Sequence, residues 1–213
     1  MRPFNRWLLL LLLLSTSAEC SVLLYPLARA FGGAKESELR VSREAFSLLK
    51  TEIKGSSILV FTPQTSRGDS AANPDTLACQ AAVAFLQREL SPLARAEWEI
   101  PDIPFEPMGH NQLRHATRSD RLHARWVREH SLSGDRFVFI EILRNKAATM
   151  VIGGQICIVD RAGRIAYSRH YNSHQFDPTV MTSTVRFTDW MLTRFLEDLT
   201  KDATEIFPPW GVG

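Results

Sequence analysis

The chain is poor in cysteine, with Cys20, Cys79 and Cys157 as its only thiols in 213 residues. Three cysteines form at most one disulfide, which excludes a small scaffold held together by disulfides. The apolar content is 45%, which is ordinary for a globular protein and sufficient to bury one core. The sequence therefore predicts one domain stabilised by packing.

Motifs that carry common chemistries are also absent. There is no G-x-S-x-G elbow, no Walker loop and no C-x-x-C pair. Gly153 and Gly154 lie inside a strand pattern, where a glycine pair indicates a bulge or close packing more than a phosphate cradle. These absences favour a non-catalytic protein without a cofactor.

No acidic residue occurs before Glu19, and this sets the character of the N-terminus. Two arginines precede an apolar run at 7–14, and the small residues Thr16 and Ala18 follow it. This pattern predicts a signal peptide over 1–18, cleaved between Ala18 and Glu19, and hence a periplasmic or secreted protein.

An uncleaved membrane anchor is the alternative to this signal peptide. The run at 7–14 is shorter than the roughly 20 residues that span a bilayer. A longer span would place Glu19 near mid-membrane, at a cost of roughly 2–3 kcal/mol. Ser17-Ala18-Glu19 before Cys20 does not resemble a lipobox, so cleavage is favoured over both anchoring and lipidation.

The mature chain lacks an excess of either charge. Residues 1–18 carry two of the 25 basic residues and none of the 23 acidic ones, so their removal leaves a formal net charge of zero. A global basic field that would attract nucleic acid or anionic lipid is therefore missing. We expect no nucleic-acid partner, and membrane contact only through the N-terminal segment if it stays uncleaved.

Apolar periodicity divides the rest of the chain into a tether and one domain. Residues 19–56 mix apolar residues with Pro26 and a glycine pair, and end in a short predicted helix over 37–50. Residues 57–213 read as one α/β domain in the order β-α-β-α-β-β-β-α, with helices packed on a single mixed sheet of about five strands.

The first helix of this domain has a clear predicted start. Asn73 can cap it, Pro74 suits its first position, and Asp75 favours the positive end of the dipole. Cys79 then begins a buried stripe that continues at Val83, Leu86 and Leu90. Cys79 is thus predicted to be a core residue. A disulfide with Cys157 across a helix–sheet interface stays open, but two buried free thiols are favoured.

Strands and a final helix follow in the second half. The sequence predicts a half-exposed strand through Ala96, Trp98 and Ile100, and another over 136–144. The segment 151–172 reads as a hairpin whose turn needs the positive φ of Gly163. A broad apolar face after residue 183 predicts a helix laid on the sheet.

Residues 111–131 (NQLRHATRSDRLHARWVREHS) hold five arginines and three histidines against two acids. At helical spacing all the arginines fall within an arc of about 80°, away from Leu122, Trp126 and Val127. A solvated helix face is the favoured interpretation, and an anionic partner surface is the alternative. The candidate interaction face comprises Arg114, Arg118, Arg121, Arg125 and Arg128.

Histidine spacing gives little support to a metal site. His123 and His130 share a helical face but lie two turns apart, about 10 Å by helical rise. His170 and His174 could meet only if the chain turns at Asn172-Ser173, because residues four apart in a strand lie about 13 Å from each other. The sequence therefore assigns no metal ligand.

The runs ILVFTP, VFIEILR and GGQICIVDRAGRIAYSRHYN, followed by a terminal helix, resemble a group of exported bacterial domains. This order of elements is similar to the penicillin-binding-protein activator lipoproteins, the curli-secretion lipoproteins and the TolB N-terminal domain, over about residues 57–203. Their hairpin of valine-aspartate, turn, glycine and aliphatic residue corresponds to Val159-Asp160 and Gly163-Arg164-Ile165. The poor lipobox and the lack of curli pore-forming insertions are departures. The resemblance implies an α/β fold and protein contacts in the cell envelope, and it carries over no catalytic residue.

The favoured interpretation is an exported accessory protein that acts by binding another envelope protein, without catalysis. Its basis is the signal peptide, the compact α/β domain and the lack of an acid–base or nucleophilic motif. The alternative is a periplasmic protein that uses the histidine-rich segments for metal binding or hydrolysis.

Overall fold

The computed structural model describes residues 43–67, 72–97, 112–130, 132–145, 147–172 and 177–206, with backbone only at 112–117, 203 and 204. In chain order its helices are α1 (Arg43–Glu52), α2 (Thr76–Glu89), α3 (Gln112–Glu129), α4 (Thr184–Thr200) and α5 (Ala203–Ile206). A 3-10 turn, Val180–Thr182, precedes α4. Its strands are β1 (Ile58–Phe61), β2 (Gln64–Arg67), β3 (Asn73–Pro74), β4 (Arg95–Glu97), β5 (Arg136–Arg144), β6 (Val151–Asp160) and β7 (Ile165–Asn172).

The strands form one mixed sheet centred on β5. One edge of β5 pairs in parallel with β1 and, further along, with β2, and β4 is parallel to β1. The other edge begins an antiparallel meander through β6 to β7. β1 ends at Phe61, just before Pro63, as the sequence predicts, and the chain resumes as β2 beside the same strand. The predicted mixed α/β fold with helices packed on the sheet is confirmed.

Each face of the sheet buries its own core. The larger core lies under α1, α2 and α4 and includes Phe46, Tyr167, Phe187 and Phe195, each 0% exposed. The smaller core lies under α3, where Phe61, Phe137 and Phe139 meet Trp126 and Val127. Neighbouring residues of a strand point to opposite faces of the sheet. Because both faces of β1, β5 and β6 are covered, residues of both orientations are buried, and these strands are therefore almost continuously apolar.

The predicted start of α2 is wrong by two residues. Asp75 is the N-cap, and its side chain accepts a hydrogen bond from the Ala78 N–H at 2.9 Å. Asn73 and Pro74 form β3, paired with Thr65 and Gln64 of β2. The pairing holds this segment extended, so the helix begins only after it.

The stripe predicted on α2 is partly as expected. Cys79 and Leu86 are buried at 0% and 1% exposure, which confirms Cys79 as a core residue. Val83 and Leu90 are only partly buried against the same core. Ala78, Ala82 and Phe85 complete the buried side, so the buried face is centred about one position away from the predicted stripe.

The short elements β2 and α5 have no counterpart in the sequence prediction, and the described sheet has seven strands where about five were expected. The longer elements agree with the sequence where the structure describes them. β5 spans the predicted residues, and the β6–β7 hairpin turns at Gly163 with φ +71°. α1 covers the second part of the helix predicted over 37–50, whose first residues lie outside the described ranges. β4 contains Ala96, whereas Trp98 and Ile100 fall outside them. No helix in the described part of the chain has the length and apolarity needed to cross a membrane.

The terminal helix α4 lies on the sheet as predicted. Its buried side chains are Phe187, Thr188, Met191, Leu192, Phe195 and Asp198. Gly154 of β6 permits this contact, because a Cβ there would lie 2.3 Å from the Phe187 ring and 2.8 Å from the Glu141 carbonyl oxygen. Close packing therefore explains Gly154, as the sequence indicated.

Candidate functional site

Helix α3 is the element that carries the predicted interaction residues, and its two sides differ sharply. Ser119, Asp120, His123, Ala124, Trp126 and Val127 are all buried against the sheet. The side chains of Arg118, Arg121, Arg125 and Arg128 are exposed; we call these four the arginine face. The side chain of Arg114, the fifth predicted member, lies outside the described residues.

Only one of the two acids in this segment lies on the same side of α3 as the arginine face. Glu129 remains at the surface, with its carboxylate 4.0 Å from the Arg125 Nε. Asp120, the other acid of the segment, is only 3% exposed and points to the sheet. A surface ion pair at this distance contributes little and is screened by salt. From residue 118 onwards, the outer side of the helix therefore carries four arginines and one acid of its own.

Aromatic packing fixes the helix on the sheet. Trp126 meets the edge of Phe61 with ring centroids 5.4 Å apart, and His123 stacks on Phe139 at 4.1 Å. Aromatic contacts of this kind are worth about 0.5–1.5 kcal/mol beyond their buried area. The arginines are thus presented from a backbone that is held in place from below.

Beneath the N-terminal half of α3 lies a buried polar layer, which consists of Ser119, Asp120 and His123 on the helix and Glu141, Gln155 and Ser168 on the strands. The strand register aligns Gln64, Glu141, Gln155 and His170 across four neighbouring strands. All six members of the layer are at most 3% exposed. The layer therefore joins the helix to three strands through polar contacts.

Asp120 is one centre of this layer. Its Oδ1 accepts a hydrogen bond from the Gln155 Nε2 at 2.5 Å, and its Oδ2 accepts one from the Ser168 Oγ at 2.6 Å. Burial raises the pKa of Asp120 to about 6, and the nearby Glu141 carboxylate also raises it, although the hydrogen bonds from Ser168, Cys157 and Gln155 oppose the rise. This carboxyl group therefore titrates well above the range of an exposed aspartate.

Glu141 is the other centre. The Ser119 hydroxyl donates to its Oε1, and the His123 Nε2 lies 3.7 Å from the same oxygen. In a serine-nucleophile site the imidazole stands between hydroxyl and carboxylate. Here the carboxylate stands between the other two groups, and all three are buried. The arrangement therefore links α3 to β5 and does not present an activated nucleophile to a substrate.

A second buried network holds α4 to β7 on the opposite face. Asp198 accepts hydrogen bonds from the Tyr167 hydroxyl at 2.9 Å, from Arg169 and from Lys201 at 2.9 Å. Burial alone would raise the pKa of Asp198, but the bonds from Arg169, Lys201 and Tyr167 lower it below its usual range. The charged form is thus satisfied, and the network stabilises the docking of α4.

The histidines do not assemble into a ligand set among the described residues. His123 is buried on Phe139, whereas His130 is exposed and stacks on Trp126 with centroids 4.3 Å apart. His170 lies in β7, and its predicted partner His174 is outside the described ranges. Within those ranges no group of three or more histidine, cysteine, aspartate or glutamate side chains could hold a metal ion.

Sequence reasoning missed the polar layer because its members come from four separate elements. One local signal exists, since Glu141 interrupts the otherwise apolar run of β5. A lone acid in a fully buried strand requires a partner, but the sequence does not show that the partners are Ser119 and His123.

The chain matches no protein-family model, and no curated protein has significant similarity to it.

Proposed function

We propose that this protein is an exported accessory protein of the cell envelope that binds an acidic surface of another protein through the arginine face of α3. The observation that carries the proposal is the exposure of Arg118, Arg121, Arg125 and Arg128 together on one helix. The signal peptide predicted over 1–18 supports the location, and catalysis plays no part in the proposal.

The charge arrangement supports a protein partner over a general polyanion. The mature chain has no formal net charge, so its attraction for anions depends on local clusters such as this helix. The row from Arg118 to Arg128 extends about 15 Å along the helix, because each of the ten residue steps between its ends adds a rise of about 1.5 Å. That length suits a matching acidic helix or strand edge.

Rigidity is the second support. An arginine held on a fixed backbone loses less freedom on binding than one on a loop. Trp126 and Val127 are 5% and 3% exposed beneath the face, and the polar layer holds the helix at Ser119 and Asp120. Guanidinium groups in such positions bind carboxylates in bidentate fashion and give specificity as well as affinity.

Site-specific photocrosslinking in cells tests this proposal. A benzophenone side chain replaces Glu129, beside the arginine face, or Glu197 on α4, a partly exposed glutamate near an arginine. We expect a discrete crosslinked species from position 129 that position 197 does not produce. Its yield should fall as salt rises above about 0.1 M, where charges are screened beyond about 10 Å.

A charge-reversed variant and a matched control complete the test. Arg118→Glu, Arg121→Glu and Arg125→Glu together should abolish the species. The control carries Arg88→Glu, Arg186→Glu and Arg194→Glu, an equal change of charge at exposed positions of α2 and α4, and should retain it. Survival of the species in the first variant contradicts the proposed face. Recovery of the protein from the cytoplasm with residues 1–18 attached contradicts the proposed location.

A further inference from the structure

A cleft of about 370 Å³ opens where the C-terminal end of α3 meets the β6–β7 turn. Arg128, His130 and Ser133 line one side and Arg161 of the turn lines the other. Val127, Leu132 and Phe137 form its apolar part. This volume is within the range of small-molecule sites, and the exposed lining of the cleft is mostly polar, which suits a charged ligand.

The fold brings the two arginines of the cleft together. Gly163 of the turn lies so close to α3 that a Cβ there would be 2.0 Å from the Arg128 Cγ and 2.7 Å from the Ala124 carbonyl oxygen. Its φ of +71° also suits glycine alone. The turn is therefore pressed against the helix, and this contact places Arg161 beside Arg128.

The two arginines of the cleft form no direct ion pair among the described residues, although Glu52 and Asp135 line an adjoining cavity with Arg161. Neither Arg128 nor Arg161 forms an ion pair with an acid in the described parts of the chain. Asp160 is occupied by the Arg164 side chain at 2.6 Å and by the N–H groups of Ala162 and Arg164. Two guanidinium groups are thus available to one ligand.

Further groups are fixed at the rim of the cleft. Arg95 donates to the carbonyl oxygen of Ser133 at 3.0 Å and to its hydroxyl at 3.2 Å, which adds a third guanidinium. The His130 ring stacks on Trp126, and the Trp126 carbonyl oxygen accepts from its Nδ1 at 2.8 Å. The Nε2 of His130 is therefore the ring atom left to a ligand.

We propose that this cleft binds a small organic oxyanion, with its carboxylate or phosphate group between Arg128 and Arg161 and its apolar part against Leu132 and the His130 ring. Paired guanidinium groups recognise such oxyanions by charge-assisted hydrogen bonds. The cleft would bind a small molecule, whereas the arginine face would bind a protein. Arg128 belongs to both surfaces.

Calorimetric titration of the purified protein with phenyl phosphate, benzoate and inorganic phosphate tests the site. We expect saturable binding of one equivalent of phenyl phosphate or benzoate, tighter than that of inorganic phosphate. The tighter of the two organic probes identifies the preferred head group. No saturable binding of either probe at millimolar concentration would overturn the proposal.

Three variants distinguish the cleft from the general attraction of the arginine face. Arg128→Gln and Arg161→Gln should each weaken the organic probe about tenfold or more, the effect of one lost charge-assisted hydrogen bond. Arg121→Gln removes the same charge from α3 outside the cleft and should change affinity less than about twofold. Equal losses in all three variants contradict a built site. The assay contains no partner protein, so its failure leaves the crosslinking test unaffected.

Discussion

At the scale of single residues, Asp120 has the largest expected effect on the pH dependence of stability, because the fold buries its carboxyl group. Its pKa of about 6 exceeds its ordinary value of 3.8, mainly because burial disfavours the charged form. The folded state therefore binds a proton that the unfolded state releases between pH 3.8 and 6. In this window the contribution of Asp120 to the unfolding free energy decreases as pH rises, by on the order of 3 kcal/mol in total.

Asp120→Asn should remove this dependence. The amide stays neutral at all pH values and keeps the shape of the protonated acid, while the Ser168 hydroxyl can rotate to accept a hydrogen bond. We expect the variant to exceed the wild type in unfolding free energy at pH 8, with a smaller difference at pH 5. Urea denaturation at both pH values measures this.

Asp198 provides the contrast for this prediction. Because the pKa of Asp198 is lower in the folded state than in the unfolded state, its charged form stabilises the fold. This contribution is present above the unfolded-state pKa and is lost as the pH falls through the folded-state pKa. Asp198→Asn should therefore destabilise the protein at pH 8, where Asp120→Asn stabilises it. A gain in stability from both substitutions, or a loss from both, contradicts the assignment of opposite roles.

At the scale of elements, the packing of α4 on β6 depends on the absence of a side chain at Gly154. Gly154→Ala forces the Phe187 ring or the helix to move, because the new Cβ would lie 2.3 Å from the ring. We expect a loss of roughly 1–3 kcal/mol in the free energy of unfolding, as for other overpacked cores. Urea denaturation monitored by circular dichroism gives this value.

A double-mutant cycle tests whether the Phe187 ring is the cause. Phe187→Leu removes the atoms that the added methyl group would meet, so Gly154→Ala should cost less in that background than in the wild type. An unchanged cost would mean that contact with the Glu141 carbonyl oxygen dominates instead.

At the scale of the whole molecule, the sheet separates the two described cysteines. Cys79 belongs to the core under α2 and α4, and Cys157 to the core under α3. Both are buried and free, so the prediction of two unpaired thiols is confirmed and the alternative disulfide is not formed. Burial raises the pKa of Cys79 to about 11 and that of Cys157 well above its usual range.

A Cys20→Ser variant purified without reductant should therefore contain two thiols that react with Ellman's reagent after unfolding. In the native state both should react slowly, because the thiolate is the reactive form and neither sulfur is accessible. Dithiothreitol should leave the melting temperature unchanged. Fewer than two thiols in the denatured protein would contradict the two-core arrangement.

The features of the site that depend on local geometry could be predicted from the sequence, and those that depend on long-range contacts could not. Arg118 and Trp126 could be assigned to different sides of one helix, one exposed and one buried, from spacing alone, because α-helical geometry is local. The contact between Glu141 and Ser119 could not be assigned, since it joins residues far apart in the chain. The start of α2 was misplaced because β3 pairing, a tertiary contact, competes with the capping preference of Asn73.

The sequence by itself determined the order of the longer strands and helices, the amphipathic character of α3 and the glycine turn at Gly163, because each depends on the periodicity or backbone freedom of neighbouring residues. It did not determine the short strands β2 and β3, which form by pairing with other strands. Only the tertiary structure decided that Asp120 is buried and that Arg161 lies beside Arg128. Both follow from the packing of α3 against the β6–β7 hairpin, and this long-range contact leaves no pattern in the local sequence.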